Sequence, residues 1–325
     1  MERLETTYLG LKLKNPLILS SSGLTSTLDR VKKAQEAGAG AVVLKSIFEE
    51  QILSEAAHVD PYSDYPEAAD YLRGYIKENS LAQYVRLIKD TKRECTIPVI
   101  ASINCMSGGQ WVDFARVVEA AGADAVEVNV FLLPADKDLP GEEIEKNYLD
   151  IIGAVRDAVT VPVSVKLAQG FTNPLATVRE IYYRNIGGVV LFNRFYAPDI
   201  DIEDMTMSSA GVFSTARELP NVIRWTGMIS GSFPLIDVAA STGIHSGGDA
   251  VKVMLAGARA VQVCSVIYER GLGAIGEMLG FMKDWMERHG MNHTRDFIGK
   301  MNTTNVKGAA VYERTQFMKY YSDPD

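Results

Sequence analysis

"DVAASTGIHSGGDAVKVMLAGARAVQVCS", residues 237–265, holds two short apolar runs with a helical stretch between them. The first run ends in Ser241-Thr242-Gly243 and the second in Cys264-Ser265. Runs that are apolar throughout, and not alternating, suit parallel strands buried on both faces. Small residues at both strand ends let a ligand approach the backbone. The helix start at "HSGGDA" adds N–H groups that suit an anion such as phosphate. An ordinary helix start is the plainer reading of the same letters.

The pattern recurs along the chain. Apolar runs stand at 17–21, 41–46, 98–104, 125–130, 161–167, 188–193, 236–242 and 260–265, with amphipathic stretches between them, several ending in Gly. Eight such units predict an α/β TIM (β/α)8 barrel. An open doubly wound sheet is the alternative, but no G-x-G-x-x-G follows the first run. "GLKLKNP" (10–16) reads as one arm of an N-terminal hairpin closing the barrel floor. Residues 47–78 and 195–213 read as long irregular strand-to-helix insertions, a place where loops carry function. The whole of 1–325 is expected to be one barrel domain, with 302–325 a C-terminal extension that has no evident barrel role.

The 325 residues are 47% hydrophobic and 23% charged, enough for a sizeable core. A formal charge of −8 argues against nucleic acid or an anionic membrane as partner. The opening residues lack the apolar core of a signal peptide, and no run approaches the roughly 18 apolar residues of a membrane span. Cys95, Cys105 and Cys264 are too scattered for a metal or iron–sulfur cluster, and a reducing cytoplasm is the simplest expectation. His58, His245, His289 and His293 have no metal-ligand spacing, although His58 and His245 follow strand ends. No metal site and no Ser/His/Asp arrangement is readable.

Barrel enzymes carry their chemistry at the C-terminal ends of strands. Those positions hold Ser21-Ser22-Gly23, Lys45-Ser46, Asn104, Asn129, Lys166, Asn193, Thr242-Gly243 and Cys264-Ser265. Each lysine alone could be a surface residue just past a strand, and each asparagine a turn residue. Together they form a polar, basic set on strands that otherwise run apolar, with no acid at the ends of the two lysine strands.

At these residues the chain resembles the dihydroorotate dehydrogenase family of flavin mononucleotide (FMN) barrels, closest in layout to the class 1 branch. The resemblance rests on "NPLILSSSG" (15–23), "LKS" (44–46), "VNV" (128–130), "SVKL" (164–167), "LFN" (191–193), the opening stretch from Ser241 to Ser265, and "DFIGKM" (296–301). It implies that Ser21, Ser22 and Gly23 lie against the flavin and that Lys45 and Ser46 line its ring. Asn104 and Asn129 would hydrogen-bond near it. Lys166 would sit at the N1/O2 edge, where a cation stabilises negative charge. Thr242, Gly243, Cys264 and Ser265 would hold the phosphate. Asn193 would face the substrate, and Asn129 is a second candidate for that face. The resemblance also implies a homodimer, and an electron-transfer partner is a further expectation.

Three departures stand out. The family's catalytic cysteine follows the fourth strand in an Asn-x-Ser-Cys-Pro-Asn run; here Leu132 takes the cysteine's position and Pro134 that of the second asparagine. Leucine cannot accept a proton. The family's orotate-holding Asn-Ser-Met-Gly-Leu-Pro-Asn loop has no counterpart in 47–80. Asp136, Asp138, Cys105 and Tyr71 are candidates for a replacement base. The expectation is therefore an FMN-dependent oxidoreductase of the dihydroorotate dehydrogenase type, a step of pyrimidine biosynthesis. The alternatives are another small cyclic substrate, a flavin-binding electron-transfer or regulatory protein, or a phosphate-ligand barrel without flavin.

Overall fold

The computed structural model describes residues 2–48, 66–104, 108–130, 132–195, 197–308 and 310–314, with the backbone alone at 2, 48, 66–79 and 108–110. Strands β1 (Thr6–Tyr8) and β2 (Leu11–Leu13) pair antiparallel. Then come β3 (Leu17–Leu19), β4 (Ala41–Val43), the two-residue β5 (Ile47–Phe48), β6 (Val99–Asn104), β7 (Ala125–Val128), β8 (Val163–Leu167) and β9 (Gly188–Leu191). A second antiparallel hairpin, β10 (Pro198–Asp201) and β11 (Thr206–Ser209), precedes β12 (Asp237–Ser241) and β13 (Ala260–Val263). The parallel strands run β4-β3-β13-β12-β9-β8-β7-β6, and β4 pairs with β6 through Val42 and Val99. That pairing closes an eight-stranded barrel, as the sequence predicts.

Helices α1 (Leu28–Glu36), α2 (Pro66–Glu94), α3 (Gly108–Ala120), α4 (Gly141–Ala158), α5 (Pro174–Tyr183), α6 (Leu219–Ser232) and α7 (Gly247–Ala256) connect successive barrel strands. α8 (Ser265–Arg270) and α9 (Gly273–Arg288) follow the last. Their starts are written locally. The side chains of Thr27, Asn173 and Ser246 cap α1, α5 and α7 by accepting backbone N–H bonds, and Pro174 opens α5.

Successive side chains of a strand point to opposite faces, so each strand feeds two cores. Val126, Val128, Val163 and Val165 pack outward against the helices. Ile18, Val43, Ile100, Ala125, Val190 and Ala260 belong to an inner core, which Tyr8, Leu9 and Leu13 of the N-terminal hairpin plug from below. The hairpin is tied down where Leu9 N donates to Asp237 Oδ2 at 2.7 Å. Gly188 leaves room for it: a Cβ there would lie 2.8 Å from Leu9 Cδ2 and 2.9 Å from the Asp237 carbonyl oxygen. The expected floor is in place.

Three segments depart from expectation. Residues 195–213 contain the β10–β11 hairpin and are not wholly irregular. Within 47–78, β5 adds to β6 and α2 already begins at Pro66, while 49–65 lie outside the described residues. The described part of the C-terminal segment packs on α6: Thr303 N donates to the Gly227 carbonyl at 3.2 Å and Thr304 Oγ1 to that of Gly231 at 2.9 Å. A short helix, α10 (Ala310–Glu313), follows, and the Tyr312 ring lies where a Gly227 side chain would be. Among the described residues, no helix is long and apolar enough to cross a membrane.

Candidate functional site

Above the apolar plug the inward positions turn polar. Ser20, Ser102, Glu127, Ser164, Lys166, Ser241 and Gln262 are all buried. Lys166 Nζ donates to Ser20 Oγ and to Gln262 Oε1, both at 3.2 Å. Gln262 Nε2 in turn donates to Glu127 Oε2 at 2.5 Å, and Glu127 Oε1 stands 3.9 Å from Lys166 Nζ. β8 lies four strands from β3, and β13 four from β7, so both of these links cross the barrel's full width. The network fixes the ammonium of Lys166 at the barrel axis. Burial pushes the Glu127 carboxyl above its ordinary range, while Lys166 and Gln262 pull it back.

Two cavities open above this layer. One, of about 150 Å³, is lined by Ser21, Lys166, Asn193, Thr242, Gly243, Cys264 and Ser265 among others. The second, of about 260 Å³, is lined by Ser21, Ser22, Lys45, Ser46, Asn104, Asn129, Lys166 and Asn193, with Glu127 and Ser102 at its base. They share Ser21, Lys166, Asn193 and Arg194, so they form one mouth. Of the thirteen strand-end residues picked out from the sequence, Gly23 alone lines neither. It opens a 3-10 turn capped by Ser22, and a Cβ there would lie 2.8 Å from the Tyr268 hydroxyl.

The first cavity's far wall is backbone. Thr242 and Gly243 have φ of 78° and 77°, so two consecutive residues are left-handed. That costs a β-branched residue about 1–2 kcal/mol. Thr242 Oγ1 holds the turn by donating to the Phe192 carbonyl at 3.0 Å. Gly243 is required: a Cβ would fall 2.6 Å from Leu219 N. The first turn of α7 is closed by its own side chains, with Asp249 Oδ2 accepting from Ser246 Oγ at 2.8 Å and from His245 N at 3.3 Å. The anion-compatible groups are thus the Thr242-Gly243 turn and the Ser265 hydroxyl. Burial raises the Cys264 thiol above its ordinary range, while Ser22 and Lys166 pull it back.

Serine hydroxyls and asparagines organise the rest. Ser21, Ser46 and Ser102 form a hydroxyl chain with steps of 3.0 and 2.7 Å. Asn193 Nδ2 donates to Asn129 Oδ1 at 2.6 Å, which brings together the two side chains expected to face a substrate. The donors fit a ligand with an anionic group at one end and a flat polar ring at the other.

The structure adds residues that strand-end reading passes over. Arg194 lines both cavities; its guanidinium holds Glu218 at 3.0 Å and the Gly211 and Val212 carbonyls at 2.8 and 2.7 Å. Ser214 N and Oγ both donate to Ser265 Oγ, and Ser214 Oγ accepts from Gly243 N. Ser214 Oγ also lies 3.4 Å from His245 Nε2, whose Nδ1 is 3.3 Å from Glu269. Ser214, His245 and Glu269 thus stand in line, an arrangement with no signature in the sequence. Its serine, bound to Ser265 and Gly243, braces the anion turn.

Leu132 and Leu133 are exposed and line neither cavity. Asp136 and Asp138 sit on the same exposed loop, Asp138 paired with Lys137, and do not line the cavities either. Cys105, His58 and the Tyr71 side chain lie outside the described residues. Among those described, no three His, Cys, Asp or Glu residues gather as metal ligands.

Comparison with known proteins agrees with this layout. The family model described as dihydroorotate dehydrogenase matches residues 3–279. The chain is 29% identical over 312 residues to the catalytic subunit of dihydroorotate dehydrogenase B (NAD(+)) of Pyrococcus abyssi, covering 91% of this chain and 98% of that one. It is 30% identical over 305 residues to the protein of the same name from Methanosarcina acetivorans, covering 89% and 93%. The Methanocaldococcus jannaschii protein of that name is 26% identical, covering 86% and 94%.

Proposed function

The chain belongs to the dihydroorotate dehydrogenase family, and from that premise we propose that it is an FMN-dependent oxidoreductase acting on a CH–CH bond, with dihydroorotate to orotate the first reaction to test. The observation that carries this reading is the Lys166 ammonium, fixed by Ser20 and Gln262 where the two cavities meet. Bound FMN would supply a hydride acceptor. The Thr242-Gly243 turn, Ser265 and Cys264 would hold its phosphate; Ser21, Ser22, Lys45, Ser46 and Asn104 would border its ring. Lys166 would stabilise negative charge on the ring edge, most strongly in a site shut off from water. The joined Asn129 and Asn193 amides would orient the substrate.

Leu132 in place of the family's cysteine is part of the same proposal. Among the described residues neither cavity is lined by Asp or His, and the one carboxyl that is, Glu127, lies buried at the base of the second cavity and bonded to Gln262; this favours a second reading: a small cyclic substrate other than dihydroorotate. We further infer one barrel domain over 1–325, a homodimer, a cytoplasmic setting and an electron-transfer partner. The last is supported by relatives whose names specify a catalytic subunit and NAD(+). The test is anaerobic addition of dihydroorotate to the FMN-loaded protein. Rapid bleaching of the visible flavin band supports the first reading. An unbleached band moves the case to the second, and a protein that takes up no FMN defeats both.

A further inference from the structure

Glu127 is a buried carboxyl that the proposed chemistry leaves unused. It is fully enclosed, on the third residue of a strand whose neighbours Val126 and Val128 pack outward. Its two oxygens differ. Oε2 accepts from Gln262; Oε1 has no hydrogen-bond partner and faces Lys166 Nζ at 3.9 Å. Tyr8 and Ser164, in the same barrel interior, face each other and leave Oε1 to Lys166. A carboxylate with one bare oxygen is costly inside a protein unless a charge or a proton completes it.

We propose that Glu127 is a charge-balancing residue that acts through Lys166, taking up one proton when the group bound above Lys166 gains negative charge and releasing it when that charge leaves. The inference rests on the FMN reading above. Glu127 lies beneath the ligand and acts on Lys166, so it is a positioning residue.

The electrostatics follow from one cation between two anion sites. With a neutral ring above it, the Lys166 ammonium is balanced by the Glu127 carboxylate alone. A second anion on the other side leaves one uncompensated negative charge in a buried site, which raises the affinity of Glu127 for a proton. The other ionisable groups facing it are Tyr8 on the floor hairpin and Tyr84 on α2, both held neutral by burial, with Asp237 beyond Tyr8. Lys45 lines the cavity above. The proton has a seat on Oε1, and the Gln262 bond to Oε2 stays in place.

The step balances. With FMN bound, substrate would give up a hydride to it, a C–H bond breaking and an N–H bond forming, and would lose a second hydrogen as a proton to solvent. Glu127 takes one proton from solvent, forming O–H on Oε1. Substrate is oxidised by two electrons, the flavin is reduced by two, and the net charge of the site is unchanged.

The experiment needs no organic substrate: anaerobic dithionite titration of FMN-loaded protein against reference dyes, across neutral pH. Wild-type protein should take up two protons per two electrons and Glu127→Gln one, so the variant's slope of midpoint potential against pH is half the wild-type slope. The wild-type infrared difference spectrum should gain a carboxylic-acid C=O band on reduction. That measurement decides the matter even if Glu127→Gln folds poorly. Equal slopes, or one proton and no band in wild type, overturn the inference and leave flavin binding intact. A protein that binds no FMN brings down the functional reading and this inference with it.

Discussion

Gln262 is bonded at both ends of its side-chain amide, accepting from Lys166 through Oε1 and donating to Glu127 through Nε2. One neutral side chain thus holds an acid and a base in register, although the two are themselves 3.9 Å apart. Replacing it with leucine of similar bulk removes both of these bonds, together with the one Oε1 accepts from Ser20 Oγ at 3.0 Å, and strands a buried charged group. Gln262→Leu should lose about 3 kcal/mol of stability. A urea midpoint within error of wild type would show that the network carries no structural weight.

Lys166→Ala should slow flavin reduction roughly 10²–10³-fold, as expected for a charge-stabilising donor. The turn that would hold the phosphate is untouched, so flavin affinity should fall less than tenfold. Stopped-flow reduction and fluorescence titration separate the two. Equal losses would remove Lys166 from its assigned role.

Gly243→Ala confronts a φ of 77° and a Leu219 backbone nitrogen 2.6 Å from the new Cβ. The turn must shift, and FMN binding should weaken about tenfold or more. Gly211→Ala is a control, because its Cβ meets nothing within 4 Å. Similar affinities for both variants would place the phosphate elsewhere.

Acid should loosen the same turn from its other side. Burial pushes Asp249 up, but bonds from Ser246, Lys252 and His245 N outweigh it, and its pKa in the fold lies below the ordinary value. The sign follows: its stabilising share is present above the unfolded carboxylate pKa and is lost as pH falls through the lower, folded one. Asp249→Asn should cost about 1 kcal/mol at neutral pH and flatten that part of the acid unfolding curve. An unchanged acid limb would assign the loss to other carboxylates.

The strands and their ends were legible because parallel barrel strands must be apolar and their C-terminal tips need not be. Twelve of the thirteen residues chosen on that rule line the joined mouth. Glu127 and Gln262 lie inside "AVEVNV" and "AVQVCS", where a rule that selects only strand tips does not reach. Counting back two from Asn129 and Cys264 finds them, since inward positions repeat every second residue. Arg194 and Ser214 could not be found that way. They reach the site through the path of a connecting segment, and no periodicity encodes that path.

Tyr8, Leu9 and Leu13 stop the lower end of the barrel. Nothing passes through that end, so the chamber is a cul-de-sac. Among the described residues, the chamber is open only toward its polar end, where Asn193 and Arg194 line both cavities, so whatever is bound there is reached from one side.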